Sequence, residues 1–375
     1  MKRALLISCF EEWYKNRLEP ISEILSYQGY SVKCVLSDYN HIGKRYSAKK
    51  EDACDYIHVP SYKSNISIWR IRSHLAFGKK VGVVIEEYKP VFIYILLPPN
   101  ITARYCIKYK KRNPNIKLVV DIIDLWPESM PLGELKNTLP ARIWKKWRDN
   151  AIVKADYVFT ECKLYQQSLS YVLDVTKTST LYLFKNQTEE EKICVTSIIN
   201  QKKTDDVIKF AYLGSMNNII DIKGICGVIQ NFINVGKTCE LYAIGDGESR
   251  EEFEEAVKKT GCKAFFYGRI FDEEEKIRIL APCDFAFNMM KEEIVVGLTI
   301  KSIDYLSYGL PLINNVKGDT WDYVSKNKLG INISKELCIA DIDIPLHSNV
   351  LAFFESNFTV RAFVNSINRA IRKLF

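Results

Sequence analysis

Short, unbroken apolar runs alternate with stretches of helical apolar spacing along most of the chain. ALLISCF (4–10) reads as a strand, NRLEPISEILSYQGY (16–30) as a helix closing near Gly29, and SVKCVLSD (31–38) as the next strand. The alternation continues with a helix over IWRIRSHLAFGKKVGVVIEEY, a strand at VFIYILL (91–97) and a helix from about Ala103. A strand at KLVVDIID (117–124), a helix containing ARIWKKWRDNAIVK and a strand at YVFTEC (157–162) follow. Apolar runs joined by crossover helices are the pattern of a parallel, doubly wound sheet.

A polar, charged stretch, KNQTEEEKICVTSIINQKKTDD, interrupts this pattern and predicts a linker over 184–206 between a first domain at 1–183 and a second at 207–357. In the second domain FAYLGSM, CELYAIGDG, AFFYGRI, CDFAFNM and LPLINNV read as five strands, each followed by a turn signal or a helix. A last helix, within 358–375, has a pattern that fits packing on either domain.

The length of 375 residues suits two α/β domains, and 47% hydrophobic with 26% charged residues is a globular mix. Without an apolar run of roughly 18 residues or a signal peptide pattern, the expected location is the cytoplasm. The eleven cysteines are scattered singly, outside any metal-binding spacing, and read as reduced core residues. Charge changes the picture more. Residues 1–183 hold 29 Lys and Arg against 18 Asp and Glu, whereas the rest hold 24 against 27. A basic first half fits an anionic partner such as a phosphate-bearing lipid or a membrane surface, and equally a solvated basic face; no nucleic-acid module accompanies it.

Five segments in order carry a family likeness: DIIDLWPES (121–129), YLGSMN followed by DIKG (212–224), AIGDGESREEF (243–253), FFYGRI (265–270) and GLTIKSIDYLSYGLPLI (297–313). On these the chain resembles the glycosyltransferase family 4 enzymes of the GT-B fold, particularly bacterial enzymes of surface polysaccharide assembly. The resemblance implies an α/β chain of two Rossmann-like, doubly wound parallel-sheet domains facing a cleft, with the sugar donor bound mainly by the second.

The last segment is the most informative chemically. A strand ends near Met289, a loop carries Gly297 and Thr299, and a helix begins at Thr299 or Ile300. Free N–H groups and the positive end of such a helix suit a diphosphate, and Lys301 in its first turn adds charge. Asp304 lies on the same face as Lys301 and matches the family's ribose-binding acid. The family's first glutamate of a seven-spaced pair is absent, with Val296 in its place; Glu292 or Glu293 is the nearest carboxylate, and Glu293 is taken as its substitute. Gly214 and Ser215 fall at the family's phosphate turn, where Ser215 stands for the usual arginine and Lys223 matches the lysine. The likeness places Tyr267, Arg269 and Ile270 at the nucleotide base. Gly245, Asp246 and Gly247 read as a tight strand-to-helix turn.

In the first domain Asp121, Asp124, Trp126 and Glu128 fall at the end of a parallel strand, where open sheets place ligands, and Asp124 matches the family best. Ile123 stands where relatives carry histidine or arginine, and none of His41, His58, His74 and His347 lies in a matched motif; His41 reads as a surface residue. The Asp341/Asp343 pair reads as a loop, so no metal is required. In LPARIWKKWRDNAIVK (139–154), bases surround Trp144 and Trp147, the pattern of an interfacial helix or of tryptophans packed on the sheet.

The resemblance implies a retaining transferase moving sugar from a nucleotide diphosphate sugar, UDP-linked, to a saccharide or lipid-linked saccharide in capsule, exopolysaccharide or O-antigen assembly. Lys223, Asp124 and Glu293 are its expected catalytic residues. No cofactor beyond the nucleotide-sugar co-substrate is expected. The alternatives are a GT-B sugar-nucleotide epimerase and a non-catalytic sugar-nucleotide-binding scaffold.

Overall fold

The computed structural model describes the chain apart from residues 49–50, 131–132, 134–136, 202–205, 334–344 and 375. The chain forms two compact units, Met1–Leu183 with Phe363–Phe375, and Phe184–Ala362. In the first unit β1 (Lys2–Ile7) leads through a π-helical turn, Tyr14–Leu18, into α1 (Glu19–Tyr27) and β2 (Tyr30–Ser37). A two-stranded hairpin, β3 (Tyr39–Asn40) and β4 (Arg45–Tyr46), precedes β5 (Cys54–Ile57) and α2 (Ile68–Tyr88). Then come β6 (Phe92–Leu97), α3 (Ile101–Arg112), β7 (Lys117–Ile122), α4 (Leu139–Lys154), β8 (Tyr157–Thr160), α5 (Lys163–Ser168) and β9 (Thr178–Thr180). The sheet order is β5-β2-β1-β6-β7-β8-β9. Its strands run parallel. The apolar run FIYILL is β6, buried at all six positions, as a central strand covered on both faces must be.

In the second unit α6 (Glu189–Gln201) precedes β10 (Val207–Leu213), α7 (Ile222–Asn234), β11 (Thr238–Ile244), α8 (Arg250–Lys259), β12 (Lys263–Phe266) and α9 (Glu273–Leu280). After these come β13 (Phe285–Asn288), α10 (Ile300–Ser307), β14 (Leu312–Asn314), α11 (Asp319–Asn327), β15 (Gly330–Asn332) and α12 (His347–Asn357). The order β12-β11-β10-β13-β14-β15 reverses direction between β10 and β13, as the first sheet does between β1 and β6. Such a reversal opens a crevice at the carboxyl ends of the strands. The core beneath is aromatic, with Phe210 stacked on Phe287 at 5.0 Å and edge-on to Phe232 at 5.4 Å.

Two expectations change and one open alternative is decided. The segment read as a linker carries α6, whose Val195 is fully buried, and Lys185 N donates to Phe358 O at 2.9 Å, so its residues up to Gln201 are structured within the second unit. The last helix, α13 (Val360–Leu374), joins the first unit from Phe363 onward. Asp121, grouped by sequence with ligand-facing residues, is instead sealed in the first core. Arg17 donates from Nε and Nη2 to its two oxygens at 2.7 Å each. Nη1 of Arg17 donates to Leu181 O at 2.7 Å, the Tyr94 hydroxyl donates to Asp121 at 2.6 Å, and the guanidinium lies 5.6 Å over Phe363. Burial disfavours the charge on Arg17, but the Asp121 carboxylate outweighs it and holds the guanidinium above its ordinary pKa.

Removing one charge from this pair leaves the other buried alone. Asp121→Asn is expected to lower the unfolding free energy by about 3–5 kcal/mol. Urea denaturation measures it, and a loss under about 1 kcal/mol, the exposed-pair range, would contradict the lock.

Candidate functional site

The carboxyl ends of β10, β11 and β12 are joined by backbone. Gly214 N donates to Ile244 O at 2.9 Å, Met216 N to Asp246 O at 3.0 Å, and Gly245 N to Gly268 O at 2.7 Å. A Cβ on Gly245 would lie 1.9 Å from Gly214 O, and one on Gly247 2.3 Å from Met216 O. Both glycines also have positive φ, 142° and 159°, so this close approach tolerates no side chain at either position. Ser215 is exposed on the first loop; beyond the third, Arg269 is exposed with Nε 3.6 Å from Asp246, and Ile270 is partly buried.

Beside this row the chain enters α10. Thr299 caps it, accepting from Ser302 N at 3.0 Å while Ser302 Oγ accepts from Thr299 N at 3.2 Å. The Thr299 hydroxyl also donates to Asn288 Oδ1 at 2.8 Å. From there a row of asparagines crosses three strand ends, Asn288 to Asn314 at 2.8 Å and Asn314 to Asn332 at 2.7 Å. Gly297 O accepts from the backbone and hydroxyl of Thr320, both at 2.8 Å, fixing the loop before the cap.

Lys301 projects from the first turn of α10 toward Gly214. Its Nζ lies 4.0 Å from where a side chain on Gly214 would begin and 5.0 Å from the Tyr212 ring centroid. It has no ion pair or hydrogen bond among the described residues, and burial pushes its pKa down to about 8. A half-buried ammonium without a counter-ion, at a helix N-terminus and a glycine turn, suits an anion.

Asp304, expected to share one ligand with Lys301, already has a partner. Lys185 Nζ donates to Asp304 at 2.9 Å and to the Tyr308 hydroxyl at 3.1 Å, and pairs with Glu273. Tyr308 donates to Glu273 at 2.5 Å. Burial still raises the Asp304 carboxyl despite Lys185, whereas Glu273, partly buried, is held down to about 2 by Lys185 and the hydrogen bonds from Lys185, Tyr308 and Lys276. Sequence reasoning missed this cluster because it had placed Lys185 in a linker.

Lys223 is exposed in the first turn of α7, which Asp221 caps by accepting from Gly224 N at 2.8 Å. Asn315 Nδ2 reaches the same carboxylate at 3.0 Å. The approach to α7 runs along the chain after β13, with Lys291 N donating to Ile219 O at 2.9 Å, so the Lys223 turn lies beside the turn carrying Glu292 and Glu293, both exposed. Asp341 and Asp343 lie outside the described residues. Among the described residues no three His, Cys, Asp or Glu cluster as metal ligands.

In the first unit Asp124 accepts from Trp126 Nε1 at 2.6 Å and from the Ser129 hydroxyl, and burial raises its carboxyl. Glu128 is engaged bidentately by buried Arg148 at 2.6 and 2.9 Å, which removes Arg148 from the basic face expected on α4. Two histidines left aside by motif reasoning belong to this edge. His74 is 3% exposed and stacked on Trp126 at 5.8 Å, and His41 is partly buried with Nδ1 2.8 Å from the Tyr62 hydroxyl, not a surface residue. The spacing of His74 four residues after Arg70 on α2 was the available signal.

No family model matches the chain, and no curated protein matches it in sequence. Solved structures do. Sucrose-phosphate synthase from Thermosynechococcus elongatus aligns over 100% of this chain and 99% of its own, with TM-score 0.68 at 13% identity. The lipopolysaccharide outer core galactosyltransferase WaaB aligns over 100% of both chains, with TM-score 0.61 at 15% identity. WaaG, a glycosyltransferase involved in lipopolysaccharide biosynthesis, covers 97% of this chain and 95% of its own, with TM-score 0.56 at 13% identity. The chain has the GT-B fold. At such identities the likeness is one of architecture, two parallel α/β sheets flanked by helices; in this GT-B chain the site rests on its own residues.

A lysine whose pKa rises when an anion binds supports binding fully below its free-state pKa and loses that support as pH rises through it. Affinity for inorganic pyrophosphate is therefore expected to fall above pH 8, approaching tenfold per unit. Lys301→Met should weaken binding and remove this component of the profile in calorimetry from pH 7 to 9; an unchanged profile would exclude Lys301 as the ligand.

Proposed function

We propose that the chain is a glycosyltransferase that takes a sugar from a nucleotide diphosphate sugar. The uncompensated Lys301 ammonium, set between the Gly214 turn and the N-terminus of α10, carries this reading. The neighbours sharing the fold include a galactosyltransferase and a sucrose-phosphate synthase. In this reading Gly214, Ser215, Lys301 and the Thr299-capped helix end take the diphosphate. Asp304 accepts from the ribose hydroxyls while Lys185 holds its other side, and Arg269 and Ile270 border the base. Lys223 moves onto the leaving diphosphate as its charge grows, where a cation aimed at developing charge lowers the barrier. Asp124 and Glu293 are the carboxylates proposed for the sugar. UDP as the nucleotide, retention of configuration, and a saccharide or lipid-linked saccharide acceptor in capsule, exopolysaccharide or O-antigen assembly complete the proposal.

A cytoplasmic, peripheral setting is part of it. Arg104, Lys108, Lys111 and Trp147 line a surface pocket of about 540 Å³ between α3 and α4 of the basic first unit. No described helix is long and apolar enough to cross a membrane. Anionic vesicles should pellet the protein at low salt and release it as salt rises, because screening shortens to about 8 Å at physiological strength. Equal pelleting with neutral vesicles would refute this.

Incubation with UDP-sugars, with and without saccharide acceptors, tests the reaction itself: acceptor-dependent UDP release supports it, an altered sugar without acceptor means an epimerase, and binding without turnover a scaffold. Asp304→Ala should weaken UDP binding by roughly 10- to 150-fold, the worth of hydrogen bonds to a charged group. Lys223→Ala should cost about 10²- to 10³-fold in turnover with donor saturating and far less in donor affinity. Wild-type turnover in that variant would make Lys223 a solvated surface lysine.

A further inference from the structure

Three arginines are almost wholly buried in the first unit, Arg17 and Arg148 at 0% exposure and Arg70 at 6%. Arg17 presents Nε and Nη2 to Asp121, and Arg148 presents the same edge to Asp149 and Glu128. On Arg70 that edge meets no carboxylate. Its Nε has no partner, and its Nη2 lies 3.4 Å from His41 Nε2. Nη1 is bonded to Asn65 O at 2.9 Å, the guanidinium also interacts with the Tyr62 side chain, and its plane rests 4.3 Å over Trp126.

The surroundings are equally rich in donors. Lys44 Nζ lies 3.4 Å from His41 Nδ1 and bonds Asn65 Oδ1; burial first, and Arg70 second, push its pKa down to about 8. Burial and Arg70 keep His41 neutral, with its pKa lowered to about 3, so the ring offers a single lone pair. Its Nδ1 faces Lys44 and the Tyr62 hydroxyl, and its Nε2 faces Arg70. Whichever tautomer forms, one of the two cations therefore meets an N–H. His74 Nε2, buried beside Trp126, also lacks a partner. Of the nearby carboxylates, Glu12 accepts from Ile42 N at 3.0 Å through Oε1 while its buried Oε2 has no partner, and Asp124 accepts from Trp126 and Ser129; neither forms an ion pair with Arg70 or Lys44 among the described residues, although the Glu12 charge favours the Lys44 ammonium. A buried guanidinium whose Nε has no partner, beside a partly buried ammonium and with no carboxylate in ion-pair contact with either among the described residues, calls for an anion.

We propose that Arg70, Lys44 and His74 form an oxyanion site that holds the phosphate or carboxylate group of an acidic acceptor saccharide. The acceptor role rests on the transferase reading; the anion site does not. Ser67, which caps α2 by accepting from Arg70 N at 3.2 Å, also borders an open groove of about 570 Å³. Tyr46, Tyr62 and Trp69 line it, offering aromatic faces to the sugar ring beyond the charged group.

Calorimetry on the full chain with inorganic phosphate, a hexose 6-phosphate and a uronic acid tests this. Saturable binding of one or both acids is expected, and which of the two binds identifies the source of the oxyanion. Arg70→Gln should weaken it by roughly 10- to 150-fold, Arg70→Lys should restore part, and Lys301→Met should leave it unchanged. Should Arg70→Gln unfold the protein, Lys44→Gln on the outer loop decides, with weaker binding expected. No binding by any probe, or equal binding by wild type and Lys44→Gln, overturns the site. UDP affinity of the wild type measured alongside separates the outcomes: a wild-type chain that binds the oxyanion but not UDP would fault the donor reading alone.

Discussion

A cation withdrawn from water must meet an anion or stand ready to receive one, and the pairing of a few buried cations organises this protein. Arg17 meets Asp121 inside the first sheet and, through Leu181 O and Phe363, gathers the π-helical turn, β7, the chain after β9 and α13 onto one guanidinium. Arg148 meets Glu128 and Asp149, and Lys185 meets Asp304 and Glu273. An unpaired charge in such places would cost several kcal/mol, so these contacts act as scaffold. Lys301, half-buried, and Arg70, buried, have no carboxylate partner among the described residues. The same physics that makes the first group structural makes the second receptive.

Both receptive cations lie at carboxyl ends of parallel strands, close to where strand order reverses. There, neighbouring crossover helices leave on opposite faces of the sheet and the loops part, so polar groups can remain unpaired without collapsing onto each other. In the second unit the opening is held by exact backbone fit, with Gly245 and Gly247 admitting the Gly214–Met216 loop and the asparagine row anchoring Thr299. Helix α10 is further fixed to β10 by Tyr305, whose hydroxyl accepts from Leu213 N at 2.6 Å. Lys301 is thus presented from a rigid frame, which lowers the ordering cost of binding.

Asp304 shows how one residue serves both purposes. Lys185 compensates its charge yet bonds a single oxygen, Oδ1, and burial keeps the carboxyl easier to protonate than usual. A carboxylate accepts several hydrogen bonds, so capacity remains after Lys185 is satisfied. Glu273 and Tyr308 take the rest of the lysine's donors and keep it in place.

By itself the sequence determined the parallel sheets and their crossovers, because apolar runs and helical periodicity are properties of each element and need no partner to be read. Helix α2 and strand β6 lie within a residue of where the pattern puts them, and Thr299, Lys301 and Asp304 sit on the helix that the spacing implies. Short strands such as β9 and β15, three residues each, carry too few positions to show a period. Tertiary structure alone decided which charges are compensated. Arg17 and Asp121 are 104 residues apart, Lys185 and Asp304 119, and a side chain's own neighbours in sequence do not tell whether a distant carboxylate will arrive. Charge compensation is set by which loops the fold brings to one strand end, and for that reason Lys185 could be taken for a linker residue and His74 passed over until the chain was folded.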